Sequence, residues 1–468
     1  MISQQKREAL RAYYESKKYI LFVAFLVLFG HTTISCGGRP LLWGYQGIFA
    51  LTLLAATVVF GAFVCTDARY LIMPLISFFY MITVEHTPNV PSFSPFLFEP
   101  FHLGWLASLT ALFVASVIYF LIVNRRQANP IPWKSPLLIS ILIFCGAMLL
   151  NGLFSPYVSL SNFVFGASFL GTIALLYLLF TCYVKMDGRA FDYFMTCLMT
   201  LGLMLCAQLL LAYAMGPVRF ENGSVVKESV VLGWGIWTAI GGVLVFLLPA
   251  TLYFAHSPNR GWIYYGLGLL ELFCIFLTQS RGALLFGGFV FLLSVIVLCL
   301  SGKNRKLNRI LTLSMVGIGL LGVLLLWNKI SSLLQNYLTY GFDDNGRYEK
   351  WRLGWESFLS SPIFGVGFYS DFAYQDFDKG IYPYFYHNTL VQFLASTGIV
   401  GIGAYLYHRV RTVLLVLKRP NAKTIFLGIC LLGLLSFSLL DVIFFNTYPL
   451  FIYTPILVFM EQGWKGEA

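Results

Sequence analysis

Long apolar runs, separated by short polar breaks, fill most of this chain. They fall near residues 19–36, 41–64, 70–84, 102–123, 136–154, 160–184, 191–215, 231–255, 261–278, 282–300, 309–328, 387–407, 424–440 and 446–460. Most approach the ~20 residues that carry a helix across the ~30 Å hydrocarbon core of a bilayer. Their apolar positions do not keep to one face, so each is expected to be a helix surrounded by lipid or by other helices. Strands of a membrane barrel would alternate polar and apolar positions, and these runs do not. The pattern predicts an all-α polytopic membrane bundle of 14 spans, or 12 should the shorter runs not all cross.

The longest polar interruption divides the chain into an N-terminal bundle (1–328), a large loop (329–386) and C-terminal helices (387–468). Within the loop, Tyr348, Trp351, Trp355, Phe358 and Leu359 recur at spacings of three and four, which predicts an amphipathic helix over Arg347 to Ser360. Asp343, Asp344 and Asn345 are candidate caps and Pro362 a stop, with Gly365 and Gly367 allowing a sharp return. An aromatic run follows: Phe368, Tyr369, Phe372, Tyr374, Phe377, Tyr382, Tyr384, Phe385 and Tyr386. Such rings suit either an interfacial belt or the stacking of sugar faces, with Asp371, Asp376 and Asp378 as added acceptors.

Composition agrees with the pattern. Of 468 residues, 58% are hydrophobic and 11% charged, against about 25% charged in soluble domains, and the mean hydropathy is +0.77. The net charge of +11 argues for topology and against nucleic acid, because the cations cluster in the short breaks. With the N-terminus placed inside, 22 of the 31 Lys and Arg fall in cytoplasmic segments, including Arg409, Arg411, Lys418 and Lys423 after the twelfth run. The nine left outside are Arg39, Arg219, Lys227, Arg281, Lys329, Arg347, Lys350, Arg352 and Lys379. This parity puts 329–386 on the outer face and both termini inside. The basic N-terminal stretch before Tyr19 resembles a signal peptide, but the many later runs favour an uncleaved first helix. The nine cysteines sit almost wholly within apolar runs and form no CxxC pair, so no metal site or disulfide framework is expected.

The outer cations run against the inside bias and are the first candidates for chemistry. Arg281 occupies the tightest turn, Thr278-Gln279-Ser280-Arg281-Gly282, and is held near headgroup level, where its planar fork suits phosphate. Arg219 lies just beyond the seventh run, with Glu221 and Glu228 as alternative local partners. His387 opens the twelfth run, where a neutral imidazole could take a proton from an attacking hydroxyl.

Three groups of residues carry a resemblance. His387-Asn388, nine residues, then Gly398-x-x-Gly401 is similar to the signature of the O-antigen ligase/polymerase superfamily. Arg347-x3-Trp351 with Pro362-x-x-Gly365-x-Gly367 resembles the outer loop of that family, and Ser280-Arg281-Gly282 with Leu285 resembles its Arg-x3-Leu motif. The resemblance covers roughly residues 210–405. It implies a C-type glycosyltransferase of the bacterial cytoplasmic membrane, working without nucleotide, metal or other cofactor. The donor would be a glycan on undecaprenyl diphosphate, and the acceptor a hydroxyl of a sugar or of a lipid A core. The other implied partners are the lipid bilayer and envelope assembly proteins. Carried onto this sequence, Arg281 and Arg219 would bind the diphosphate and His387 would act on the acceptor hydroxyl. Arg347, Asn388, Tyr386 and Trp351 would line the substrate site, with Lys227 as a substitute for Arg219. A lipid-linked sugar transporter and a non-catalytic assembly scaffold remain alternatives. Transporters, however, favour mid-membrane charges and paired repeats, and Glu271 is the clearest mid-run charge here.

Overall fold

The computed structural model describes residues 3–30, 45–82, 100–156, 160–215, 218–221, 224–232, 235–257, 260–325, 327, 331, 346–369, 385–418, 420–445 and 447–462. Outside these lie Arg39, Lys329, Lys379, the caps Asp343, Asp344 and Asn345, the loop acids, and the aromatic run from Phe372 to Tyr384.

The chain is an all-α membrane bundle. Eight helices are long and apolar enough to cross a bilayer, among them Pro136–Phe154, Ala190–Met215, Arg281–Leu300 and Thr389–Lys418. Gly261–Leu277 and Ala422–Phe437 are shorter apolar helices of the same bundle. Each of the 14 expected runs holds a helix within a few residues of its predicted place. One apolar core reaches from Tyr14 to Met460 and takes in helices from both sides of the long polar interruption. The eight described cysteines are free thiols, buried except for the half-buried Cys299.

Helix ends gather at two poles, as alternating crossings require. At one pole Arg69 joins Asp67, Asp187 and the Lys185 carbonyl, and Asn129 meets Cys182. At the other, Tyr213 reaches the Leu277 carbonyl and Asn388 the Leu439 carbonyl. The pole predicted to face outward is the second.

Two expected runs are corrected. The eighth begins at Trp237, not 231, because residues before it fold as a small ribbon. There Phe220–Glu221 pairs with Ser224–Val225, and Val231 bridges Ile236.

The twelfth run is not one span. The Thr389–Lys418 helix is broken at Gly398, whose φ of 62° and ψ of −161° belong to a region open essentially to glycine alone. Phe393 and Tyr405 stack with centroids 4.3 Å apart. Twelve residues of unbroken helix would separate them by about 18 Å. The N–H groups of Ile399 and Val400, orphaned by the break, donate to the carbonyls of Pro362 and Ile363 at 2.9 and 3.2 Å. Val366 and Gly367 donate in turn to Ala395 and Ser396, and Asn151 binds the carbonyls of both Phe364 and Ser396. The Pro362–Gly367 and Gly398–Gly401 motifs are therefore one structural unit. The helix after the break runs over 399–418, so Arg409 and Arg411 lie within a helix and not in the loop assigned to them.

Candidate active site

The turn 438–442, between Ala422–Phe437 and the last helix, is where the pole comes together. Ser438 accepts from the Thr389 N–H at 2.8 Å and Leu439 from the Asn388 amide at 2.9 Å. Leu440 packs on the first turn of Arg281–Leu300, so closely that a Cβ at Gly282 would lie 2.9 Å from it. Asp441 binds His387, with Nδ1 to Oδ1 at 3.3 Å, and also takes the Val442 N–H at 2.8 Å and the Thr238 hydroxyl. Burial opposes the charge on Asp441, but His387, the Val442 N–H and Thr238 together hold its carboxyl below the usual range. His387 remains 35% exposed, so its second nitrogen can meet a substrate.

His387 takes up a left-handed backbone, φ 51°. Asn388 holds it there. The Asn388 carbonyl oxygen accepts the N–H groups of Leu390 and Val391, capping the segment that begins at Thr389, while its amide is tied to Leu439. Asn388 thus orients the histidine from behind. Tyr386 is 1% exposed, wedged against Gly354, with its hydroxyl 2.9 Å from Ser357 and its N–H on Gln392. It is an internal strut joining the outer helix to His387, not an open ring face.

Arg347–Ser360 forms the expected outer helix, but it docks through its small face. Gly354 and Ser357 are buried, whereas Tyr348, Trp355 and Leu359 of the predicted apolar stripe are exposed. Trp351 is half-buried with an edge-on contact to Tyr348. Arg352 is engaged on the helix surface by Glu349 and Glu356, at 2.5 and 2.8 Å. Lys350 instead turns inward. Burial pulls its pKa down, the Asp441 charge opposes that shift and Arg347 adds to it, so these three groups share one locality.

Arg281 is the first residue of its helix, exposed, after Ser280 whose hydroxyl caps Ala283. Its charge adds to the positive helix end, a combination suited to an anion. Arg219 and Lys227 stand on the ribbon leading to Trp237. The Arg219 N–H donates to Ser229 at 2.8 Å, its side chain is exposed, and Lys227 lies 5.2 Å over the Trp237 ring. Trp237 adjoins Thr238, the Asp441 ligand, and Phe220 packs on Tyr213, which binds Leu277 at the base of the Arg281 turn. The ribbon is thereby tied, through Tyr213, to Leu277 four positions before Arg281 and, through Trp237, to its neighbour Thr238, which binds Asp441.

The structure gathers His387, Asn388, Tyr386 and Arg281 around one turn, sets Arg347, Lys350 and Trp351 above it, and hangs Arg219 and Lys227 beside it. Asp441, Thr238 and the inward role of Lys350 were missed by sequence reasoning. Asp441 is 54 positions from His387, and its sole signal is an acid closing an apolar run. Among the described residues no His, Cys, Asp and Glu cluster could hold a metal.

Residues 266–406 match the family model described as O-antigen ligase, which supports the superfamily resemblance drawn from the motifs. No curated protein matches the chain.

Proposed function

Taking the O-antigen ligase domain at 266–406 as premise, we propose that the chain transfers a glycan from a lipid diphosphate to a sugar hydroxyl. The work is done at the outer face of the bacterial cytoplasmic membrane. The observation that carries this reading is the His387–Asp441 pair standing on the turn that Arg281 abuts.

With Nδ1–H given to Asp441, His387 keeps Nε2 as the acceptor. Nε2 takes the proton of the acceptor hydroxyl as its oxygen bonds to the anomeric carbon. The bond from that carbon to the diphosphate oxygen breaks, and the electron pair leaves with the diphosphate. Arg281, with Lys350, Arg347 and the ribbon cations Arg219 and Lys227 near it, offsets the charge that develops there. Fixed charges of this kind are typically the largest catalytic term, and a positioned base adds about 10²–10⁴-fold. A single displacement inverts the anomeric centre. Undecaprenyl diphosphate is the donor carrier, and Tyr348, Trp355 and Leu359 rest on the outer leaflet.

The test is transfer by the purified protein from an undecaprenyl-diphosphate oligosaccharide, with and without lipid A core, beside His387→Ala. A ladder of repeats without core marks a polymerase, and one core-dependent transfer marks a ligase. Retained stereochemistry would refute the single displacement. No transfer by folded wild type from several donors would refute the transferase reading.

A further inference from the structure

Among the described residues, Arg409 is a cation buried in the bundle without a counter-ion. It is 7% exposed, and among the described residues no carboxylate pairs with it. Nη1 donates to the Tyr453 hydroxyl at 2.6 Å, while Nε and Nη2 have no hydrogen-bond partner. A charge removed from water and left unpaired in a membrane bundle is costly, and a leucine would fill the same space without that cost.

What surrounds it is aromatic. Its Cζ lies 4.6 Å from the ring centre of Tyr405, 4.5 Å from Phe444 and 4.8 Å from Tyr453. Each ring face attracts a cation, most strongly where both are removed from water. The three rings belong to three different segments. Tyr405 is on the longer half of the broken helix and stacks on Phe393 of the short half, six positions after His387. Phe444 sits in the Ile443–Phe445 turn, three positions after Asp441. Tyr453 is on the last helix, its hydroxyl fixed by His408 Nε2 at 2.7 Å, and His408 Nδ1 is held by Ser140 at 2.9 Å.

We propose that Arg409 is a positioning residue whose charge clamps the segment ending in His387 to the segment beginning with Asp441. It acts from within the bundle, through rings, and touches neither member of the pair. The inference rests on the transferase reading for its effect on rate, but not for its effect on geometry. Lysine would supply charge without the planar face that three rings grip, and so would replace it in part only.

Two readouts separate these parts. Spin labels at the exposed positions Leu390 and Leu439 flank the pair. In wild type the labels should show one narrow separation, broadened in Arg409→Met and partly restored in Arg409→Lys. In parallel, Arg409→Met should lower kcat on the order of 10–100-fold with the donor KM unchanged, the loss expected of a small misplacement. Phe444→Leu removes the ring and keeps the charge. It should behave like Arg409→Met, and the two together should cost little more than either alone. Phe444→Leu also serves if Arg409→Met does not fold. Unchanged label separation in either variant would overturn the proposal, as would activity falling only in step with Tm. A broadened separation alongside an inactive wild type would keep the clamp and remove the transferase.

Discussion

The two poles of the bundle treat charge in opposite ways. At the first, Arg69 is almost fully buried and spent: Asp67 lies 2.7 Å away, Asp187 3.1 Å, and the Lys185 carbonyl completes the set. Burial opposes the charge on Asp187, yet Arg69 and the N–H groups of Arg189 and Ala190 hold its carboxyl below the usual range. At the second, one carboxylate, Asp441, faces His387 and Lys350, with Arg347 and the exposed Arg281 close by. The first closes a carboxylate pair around its buried cation and latches two loops. The second leaves Arg281 exposed next to the turn that carries Asp441.

Exchanging roles between the poles is the hardest test of that contrast. His387→Ala should lower transfer by about 10²–10⁴-fold with Tm unmoved, while Asp67→Ala should cost about 3–5 kcal/mol of stability, read by thermal unfolding in detergent. If His387→Ala also unfolds the protein, the second pole is a latch as well. Next in size, Arg281→Ala should reduce kcat by about 10²–10³-fold, and Arg281→Lys should recover part of it.

A pH series sharpens the comparison further. Asp441 titrates lower in the folded state than unfolded, so its contribution to stability is fully present above the ordinary carboxylate pKa of about 3.9. That contribution is lost as pH falls through the lowered value. The Tm difference between wild type and Asp441→Asn should therefore be constant near neutrality and vanish in acid. The smallest effect belongs to Arg352→Ala. Its two ion pairs are exposed and screened by water, and neither Tm nor transfer should change measurably.

Hydrophobic runs made the helices legible, because a span advertises itself in every residue. The place of Arg281 at a helix end was legible too, since a cation in so tight a turn has nowhere else to go. The break at Gly398 was not. Gly398 and Gly401 lie in an apolar run and read as small residues within a helix, whereas the cause of the break is remote: the carbonyls of Pro362 and Ile363 offered to Ile399 and Val400. Placing Arg409 in a loop followed from the same error, because a run ended by its first charges appears to stop short. Asp441 was hidden for a similar reason, as its partner is supplied by folding and not by spacing. Residues that act through neighbours in sequence could be read, and those that act through neighbours in space could not.

The broken helix also sets how the pair answers to the thickness of its membrane. Spanning helices accommodate a thinner or thicker bilayer by tilting. Segment 389–397 is held by the protein itself, its Ala395 and Ser396 carbonyls accepting the N–H groups of Val366 and Gly367. Ile399 and Val400 hang from the same loop, at Pro362 and Ile363, so both sides of the break keep one height and His387 its distance from Asp441. Transfer measured in vesicles of short, medium and long acyl chains should vary little for the wild type. A steep dependence would mean that lipid, not the 362–367 loop, sets the height of the histidine.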